Sequence, residues 1–137
     1  MVESSVTRMA TIARFEDLEI WQLARQQANE LFLIYSIDNF SKDFELKNQI
    51  NRSSGSVMDN IAEGFERNGN KEFIHFLLIS KGSNGEVRSQ LYRASDRKHI
   101  NADQLNDLIT KNVTLSKKIT AFITYLKNSD RKGFRYA

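Results

Sequence analysis

The sequence predicts an all-α fold, an antiparallel up-down-up-down four-helix bundle, and three observations carry that prediction. The 137 residues contain no proline, which favours long uninterrupted helices over a turn-rich β fold. Apolar residues recur at three- and four-residue steps through four separate segments, the period of one buried helix face. The connections between those segments are short, which makes neighbouring helices antiparallel. No stretch shows the alternation of a strand.

Residues 1–14 lack a period and read as a loose N-terminal tail. The first helix is expected over about 17–36, with Leu18, Trp21, Ala24, Ala28, Leu31, Phe32 and Tyr35 on its inner stripe. Ile37 to Ser41 connects it to the second helix, whose start is marked by Ser41, Asp43 and Glu45. That helix covers about 42–67 and buries Leu46, Ile50, Ser53, Ser54, Val57, Ile61 and Phe65. Asn68-Gly69-Asn70 ends it, with Gly69 suited to a left-handed position and Asn70 to capping the third helix.

The third helix covers about 71–97 around Phe73, Phe76, Leu77, Ser80, Val87, Leu91 and Ala94. Asn101 caps the fourth, over about 102–128, with Leu105, Leu108, Ile109, Leu115, Ile119, Phe122, Ile123 and Leu126 inside. Residues 129–137 form a basic C-terminal tail. Helices of roughly 20–27 residues are about 30–40 Å long. Residues 15–128 thus make one bundle, with no composition shift marking a second domain.

Composition narrows the chemistry. The absence of cysteine removes disulfides, thiolate metal sites and a cysteine nucleophile. The two histidines, His75 and His99, show no metal-ligand spacing, so neither metal nor cofactor is expected. No apolar run approaches the roughly 20 residues of a membrane span, and no signal-peptide pattern opens the chain. A cytoplasmic protein is expected, without membrane association.

The net charge of +3 hides an asymmetry. Residues 1–69 hold seven Lys/Arg against eleven Asp/Glu, a balance of −4, while residues 70–137 hold thirteen against six, a balance of +7. A basic half attracts nucleic acid by neutralising phosphates. Solubilised helix faces are the plainer reading of the same residues.

Several residues do not fit a plain bundle. Gln49, Arg52, Ser56, Asn60, Glu63 and Arg67 share one flank of the second helix. They are either solvated surface or a polar seam in which Asn60 bridges to a neighbour and Glu63 pairs with Arg67. Gly82 and Gly85 lie inside the third helix at a cost of about 1 kcal/mol each. Close approach of another helix or subunit offsets that cost, or the helix kinks. Ser53, Ser54 and Gly55 on the second helix are similarly small. Ile74, Leu78 and Tyr92 fall outside the main stripe of the third helix. Either the core face is broad, or this helix contacts a second copy and the protein is a homo-oligomer.

These residues resemble the bacterial four-helix-bundle family of proteins encoded within intervening sequences of 23S rRNA genes, which includes the accessory protein of diversity-generating retroelements. The carriers are Phe15-Glu-Asp-Leu-Glu-Ile-Trp21, Gln49-Ile-Asn-Arg-Ser53, Asn60-Ile-Ala-Glu-Gly-Phe65 with Arg67, Lys71-Glu-Phe73 with Phe76-Leu77, and Gly82-Ser83 with Glu86. Within that set Gly64, Ser83 and Glu86 take structural or interface roles. Met58 and Ser41 stand where the family often has proline. The resemblance implies a ring, commonly a pentamer. In the retroelement branch it implies binding to nucleic acid and to a reverse transcriptase through a basic surface. No enzymatic activity is known for most of the family.

The expected function is accordingly a non-catalytic oligomeric nucleic-acid-binding bundle with weak sequence specificity. Its contacts are expected at Lys81, Arg88, Arg93, Arg97, Lys98, Lys111, Lys117 and Lys118, and at Arg131, Lys132 and Arg135 in the tail. Tyr92, Phe134 and Tyr136 offer rings for stacking on single strands. The alternative is a protein scaffold or accessory subunit, for example for a reverse transcriptase. Catalysis has one weak candidate, a Glu63 and Glu86 carboxylate pair across the second and third helices.

Overall fold

A computed structural model describes residues 12–129. Its helices are α1 (Glu19–Tyr35), α2 (Phe44–Glu66), α3 (Asn70–Asp96) and α4 (Ala102–Lys127). Short 3-10 turns at Phe15–Asp17 and Asp38–Lys42 precede α1 and α2. The expected residues 1–11 of the N-terminal tail and 130–137 of the basic tail lie outside the described residues.

The helix ends from the start of α2 to the start of α4 have chemical causes. Asp43, not Ser41, caps α2, its carboxylate accepting from the Leu46 amide at 3.3 Å. Ser41 instead donates to the Asp38 carbonyl at 2.6 Å, inside the preceding 3-10 turn. The α2–α3 turn hinges on Gly69, whose φ of 89° is open to glycine and strained for other residues. Asn70 is the first residue of α3 rather than its cap. Its amide donates to the Leu126 carbonyl at 3.1 Å, tying this turn to the end of α4. The α3 terminus is a Schellman motif, with bonds from the Lys98 amide to Ser95 and from the His99 amide to Ala94. Asn101 and Gln104 form a reciprocal capping box at the start of α4, both bonds 2.8 Å.

The four stripes meet in one core. Leu46, Ile50, Val57 and Ile61 of α2, Leu77 and Val87 of α3, and Ile119 and Phe122 of α4 are fully buried. In α1 the buried positions are Ile20, Ala24, Gln27, Leu31 and Tyr35, directly after buried Leu18. The expected inner residue Phe32 is 53% exposed, because the buried face of α1 turns through Ile20 and Gln27 rather than through Ala28 and Phe32. Burial of such apolar area, at about 25 cal/mol per Å², is what stabilises helices of marginal intrinsic propensity.

The core also contains a polar centre. Asn84 of α3 and Asn112 of α4 are fully buried, with Gln27 of α1 beside them. Asn84 Nδ2 donates to the Asn112 carbonyl at 3.0 Å, and Asn112 Nδ2 returns a bond to the Asn84 carbonyl at 3.1 Å. Gln27 Nε2 donates to Asn84 Oδ1 at 2.9 Å, and Asn112 Nδ2 reaches Gln27 Oε1 at 2.7 Å. Arg88 closes the cluster by donating to Asn112 Oδ1 at 3.1 Å. Three helices are thereby joined, and the carboxamides replace the water they lose with each other.

Candidate nucleic-acid interface

Antiparallel pairing of α2 and α3 sets the register of the candidate site. Ser56 meets Ser83 hydroxyl to hydroxyl at 2.8 Å, Ser53 donates to Gln90 Oε1 at 2.6 Å, and Arg93 donates to Gln49 Oε1 at 2.7 Å. Each step back along α2 is thus a step forward along α3. Between these contacts opens a polar groove of about 490 Å³, whose walls include Arg52, Arg93, Glu86, Ser56, Ser83 and Ser89. Small serines let the two helices approach while leaving hydroxyls to face the groove. Arg52 is exposed and has no hydrogen-bond or salt-bridge partner among the described residues.

The polar stripe of α2 divides in two. Gln49, Arg52 and Ser56 line the groove. Asn60 does not bridge to another helix but donates to the Ser56 carbonyl and hydroxyl, at 2.9 and 3.0 Å, within its own helix. Glu63 is not a buried carboxylate: it is exposed and paired with Arg67 at 2.7 Å. Arg67 also lies 3.5 Å from Glu72 and over the Phe76 ring at 4.9 Å, and the Glu63 hydrogen bond holds its guanidinium above the ordinary arginine range. The register places Glu63 and Glu86 about nine residues of helix apart, roughly 14 Å. They do not form a carboxylate pair.

The expected phosphate contacts fall into two classes. Lys111 is held by Glu30 of α1 at 2.8 Å and by Asp107 at 3.1 Å, and the Glu30 bond first, then Asp107, raises its pKa above the usual lysine value. Lys118 pairs with Glu19 of α1 at 3.3 Å. Both lysines therefore join α4 to α1. Arg97 pairs with Asp43 at 2.8 Å, Arg88 is engaged with Asn112, and Arg93 with Gln49. Lys81, Lys98 and Lys117 are exposed and have no such partner among the described residues. Arg131, Lys132 and Arg135, with Phe134 and Tyr136, lie outside the described residues.

Asp43 is the most connected carboxylate. It accepts from His99 Nε2 at 2.8 Å and from Arg97 at 2.8 Å, while capping α2. An ionised carboxylate only accepts, so Nε2 carries the proton. The His99 bond first, then Arg97, lowers the Asp43 pKa to about 2. Phe40 stacks on the His99 ring with centroids 4.7 Å apart.

On the outer side of α3, Leu78 is 53% and Tyr92 51% exposed. Ile74 packs partly against the core. A Cβ added at Gly55, Gly82 or Gly85 meets nothing within 4 Å. Within the protomer, then, no neighbouring helix closes on these glycines, and α3 continues through Gly82 and Gly85 as helix. The tight approach is at Gly64, where an added Cβ would lie 2.8 Å from Phe76 Cβ, 2.9 Å from the Phe73 ring and 3.3 Å from the Phe73 carbonyl.

Two features escaped the sequence reading. One is the Gln27, Asn84 and Asn112 cluster, whose signal was a missing step: the apolar stripes pass from Ser80 to Val87 and from Ile109 to Leu115 with a polar residue in the vacant inner position. The other is an aromatic groove of about 920 Å³ between α1 and α2, with Trp21, Phe32 and Tyr35 in its lining. Among the described residues no group of three His, Asp or Glu side chains is placed to hold a metal ion, and no helix is long and apolar enough to cross a membrane.

Known proteins place this architecture. No curated protein matches the chain. The crystal structure of a protein of unknown function from the S23 ribosomal protein family of Bacteroides thetaiotaomicron superposes with a TM-score of 0.71. At 22% identity it covers 77% of this chain and 95% of its own, a likeness of fold. A family profile described as 23S rRNA-intervening sequence protein matches residues 16–121, well over half the chain. With four helices in the expected order across the matched residues, the chain belongs to the 23S rRNA-intervening sequence protein family.

Proposed function

We infer that this protein is a non-catalytic, cytoplasmic nucleic-acid-binding bundle that recognises backbone charge rather than base sequence. The observation that carries the reading is the α2–α3 groove, where Arg52 and Arg93 stand among serine hydroxyls and carboxamides and outnumber its one carboxylate, Glu86. Guanidinium and hydroxyl groups are the donors that hold phosphate oxygens, and arginine does so in bidentate fashion. Lys81, Lys98 and Lys117, free of ion pairs among the described residues, add exposed positive charge elsewhere on the second half of the chain. Lys111 and Lys118 contribute less, because each must first give up a carboxylate of α1.

The test is anisotropy binding of RNA and DNA, single-stranded and duplex, at about 50 mM and about 200 mM salt. Affinity is expected to fall steeply between the two. The Arg52→Ala and Lys117→Ala exchanges weaken binding, whereas Lys111→Ala acts mainly on stability. No binding to any of the four at low salt ends this reading.

A second reading has its own observation. The exposed Leu78 and Tyr92 on α3 suit a protein contact. The contact is with further copies, in a ring such as the pentamer that the family resemblance implies, or with a partner such as a reverse transcriptase. Solution mass, followed by co-purification from the host, separates these partners from nucleic acid.

A further inference from the structure

We propose that the α1–α2 groove holds unstacked bases of a single-stranded nucleic acid. This rests on the nucleic-acid reading and adds a place for the bases, away from the phosphate-binding α2–α3 groove. The groove measures about 920 Å³ and is open to solvent. Its rings are held in place before any ligand arrives. Trp21 packs edge-on to Phe15 at 5.3 Å and lies under the Arg25 guanidinium at 5.6 Å. Phe32 packs edge-on to Tyr35 at 5.7 Å, and the Tyr35 hydroxyl is fixed by a 2.9 Å bond to Asn51 Oδ1.

Phe32 is 53% exposed although it belongs to an otherwise core-forming helix. A large ring held at the mouth of a groove loses burial energy there and gains a free face. Trp21 and Phe32 are eleven residues apart along α1, roughly 16 Å, so the two rings serve different bases of one strand. Arg14, Arg25 and the carboxamide of Asn29 line the same groove and offer donors to phosphate and base edges, against one carboxylate, Glu16. The exposed Phe32 ring, and the Trp21 ring with the Arg25 guanidinium stacked over it, suit single strands, whose every base has a π-face. A duplex hides those faces.

Trp21 is the chain's only tryptophan, so its fluorescence reports on this groove directly. The full chain is titrated with a dye-labelled oligonucleotide, its abasic counterpart and its duplex, following anisotropy for binding and tryptophan emission for stacking. The intact single strand is expected to bind and quench Trp21, and the abasic strand to bind without quenching. Phe32→Ala should weaken the single strand at least fivefold and leave the duplex unchanged. Leu33→Ala, also exposed but outside the groove lining, should change neither.

Binding by anisotropy with no change in emission and no effect of Phe32→Ala overturns the base site and leaves the nucleic-acid reading standing. Binding of no strand overturns both. Quenching that depends on protein concentration without nucleic acid shows a second copy covering the groove, and that too overturns the assignment. Quenching by free mononucleotide equal to that by the strand moves the site to a nucleotide pocket and overturns the single-strand claim.

Discussion

Truncating Asn112 to alanine is expected to destabilise the protein by about 3 kcal/mol. The side chain makes bonds to Gln27 Oε1 at 2.7 Å and to the Asn84 carbonyl and Oδ1 at 3.1 and 3.0 Å, and accepts from Arg88 at 3.1 Å. Alanine leaves the buried Gln27 oxygen without a donor, a cost of about 1–3 kcal/mol. The Asn84 carbonyl keeps its second lone pair for its helix bond, so its loss is nearer the net value of about 1 kcal/mol. Arg88 is only half-buried and turns to water, adding little. The vacated space adds a small cavity term. Urea unfolding at fixed protein concentration measures the loss, as a midpoint lower by about 1–2 M at unchanged slope. Gln27→Ala should cost less in the Asn112→Ala background than alone, by about 1 kcal/mol, because the bond it removes is already gone. Full additivity of the two exchanges, or a loss under about 1 kcal/mol for Asn112→Ala, refutes the network.

Acid stability should depend on Asp43. Its folded pKa of about 2 lies below the ordinary aspartate value of 3.8, so its contribution is complete above the higher value and is lost as pH falls through the lower one. That window carries about 2 kcal/mol as an upper figure at a site this near solvent. The Asp43→Asn protein should lose the corresponding slope in a urea series from neutral to acid pH; an unchanged slope rejects the assignment. Gly64→Ala is expected to cost about 1–3 kcal/mol, since its nearest obstacle is the Phe76 Cβ at 2.8 Å rather than a flexible chain end. Thermal melts read this, and a neutral result would mean that α2 and α3 move apart freely. Lys98→Gly should stabilise by about 1 kcal/mol, because Lys98 has a φ of 64° at the position where a Schellman motif prefers glycine. A lower melting temperature would contradict that reading. Gly82→Ala and Gly85→Ala meet open space within the protomer and should each stabilise it by up to about 1 kcal/mol. If either instead lowers the solution mass, these glycines face another copy.

The helices and their order were legible because the stripes of α2, α3 and α4 kept their period, apart from one polar step each at Asn84 and Asn112. Leu46, Ile50, Val57 and Ile61 repeat so regularly that burial followed from spacing alone. The α1 stripe was misplaced at Phe32 because two apolar sequences overlap on that helix, and only the packing of Ile20 and Leu31 decides between them. Which cations are available was legible only where the partner is local: Asp107 stands one turn before Lys111, but the Glu30 that also holds Lys111 comes from a helix 81 residues away. The Glu63–Arg67 pair was legible, being one helical turn long. Asn60 obeyed the same spacing but bonded to its own helix, because Ser56 sits one turn behind it. Long-range partners depend on tertiary register, which local spacing does not encode.

That register is what the buried carboxamides fix. Apolar stripes recur every turn, so two helices that slip by one turn still present leucine to isoleucine. Asn84 and Asn112 exchange side-chain to backbone bonds in both directions, and a slipped pairing would leave both carboxamides buried without partners. The penalty for slippage is therefore polar rather than hydrophobic, as with a single asparagine in a coiled-coil seam. Gln27 extends the constraint to α1, and Ser80 donating to the Val57 carbonyl at 2.7 Å extends it from α3 to α2. Fixing α1 and α2 against the same α3 also fixes them against each other, and that spacing sets the width of the Trp21 groove. If this coupling holds, Asn84→Leu, which keeps the volume but removes the register bonds, should broaden or shift Trp21 emission even though residue 84 does not line the groove. Unchanged emission in a folded Asn84→Leu protein would show that the apolar stripes alone hold the groove open.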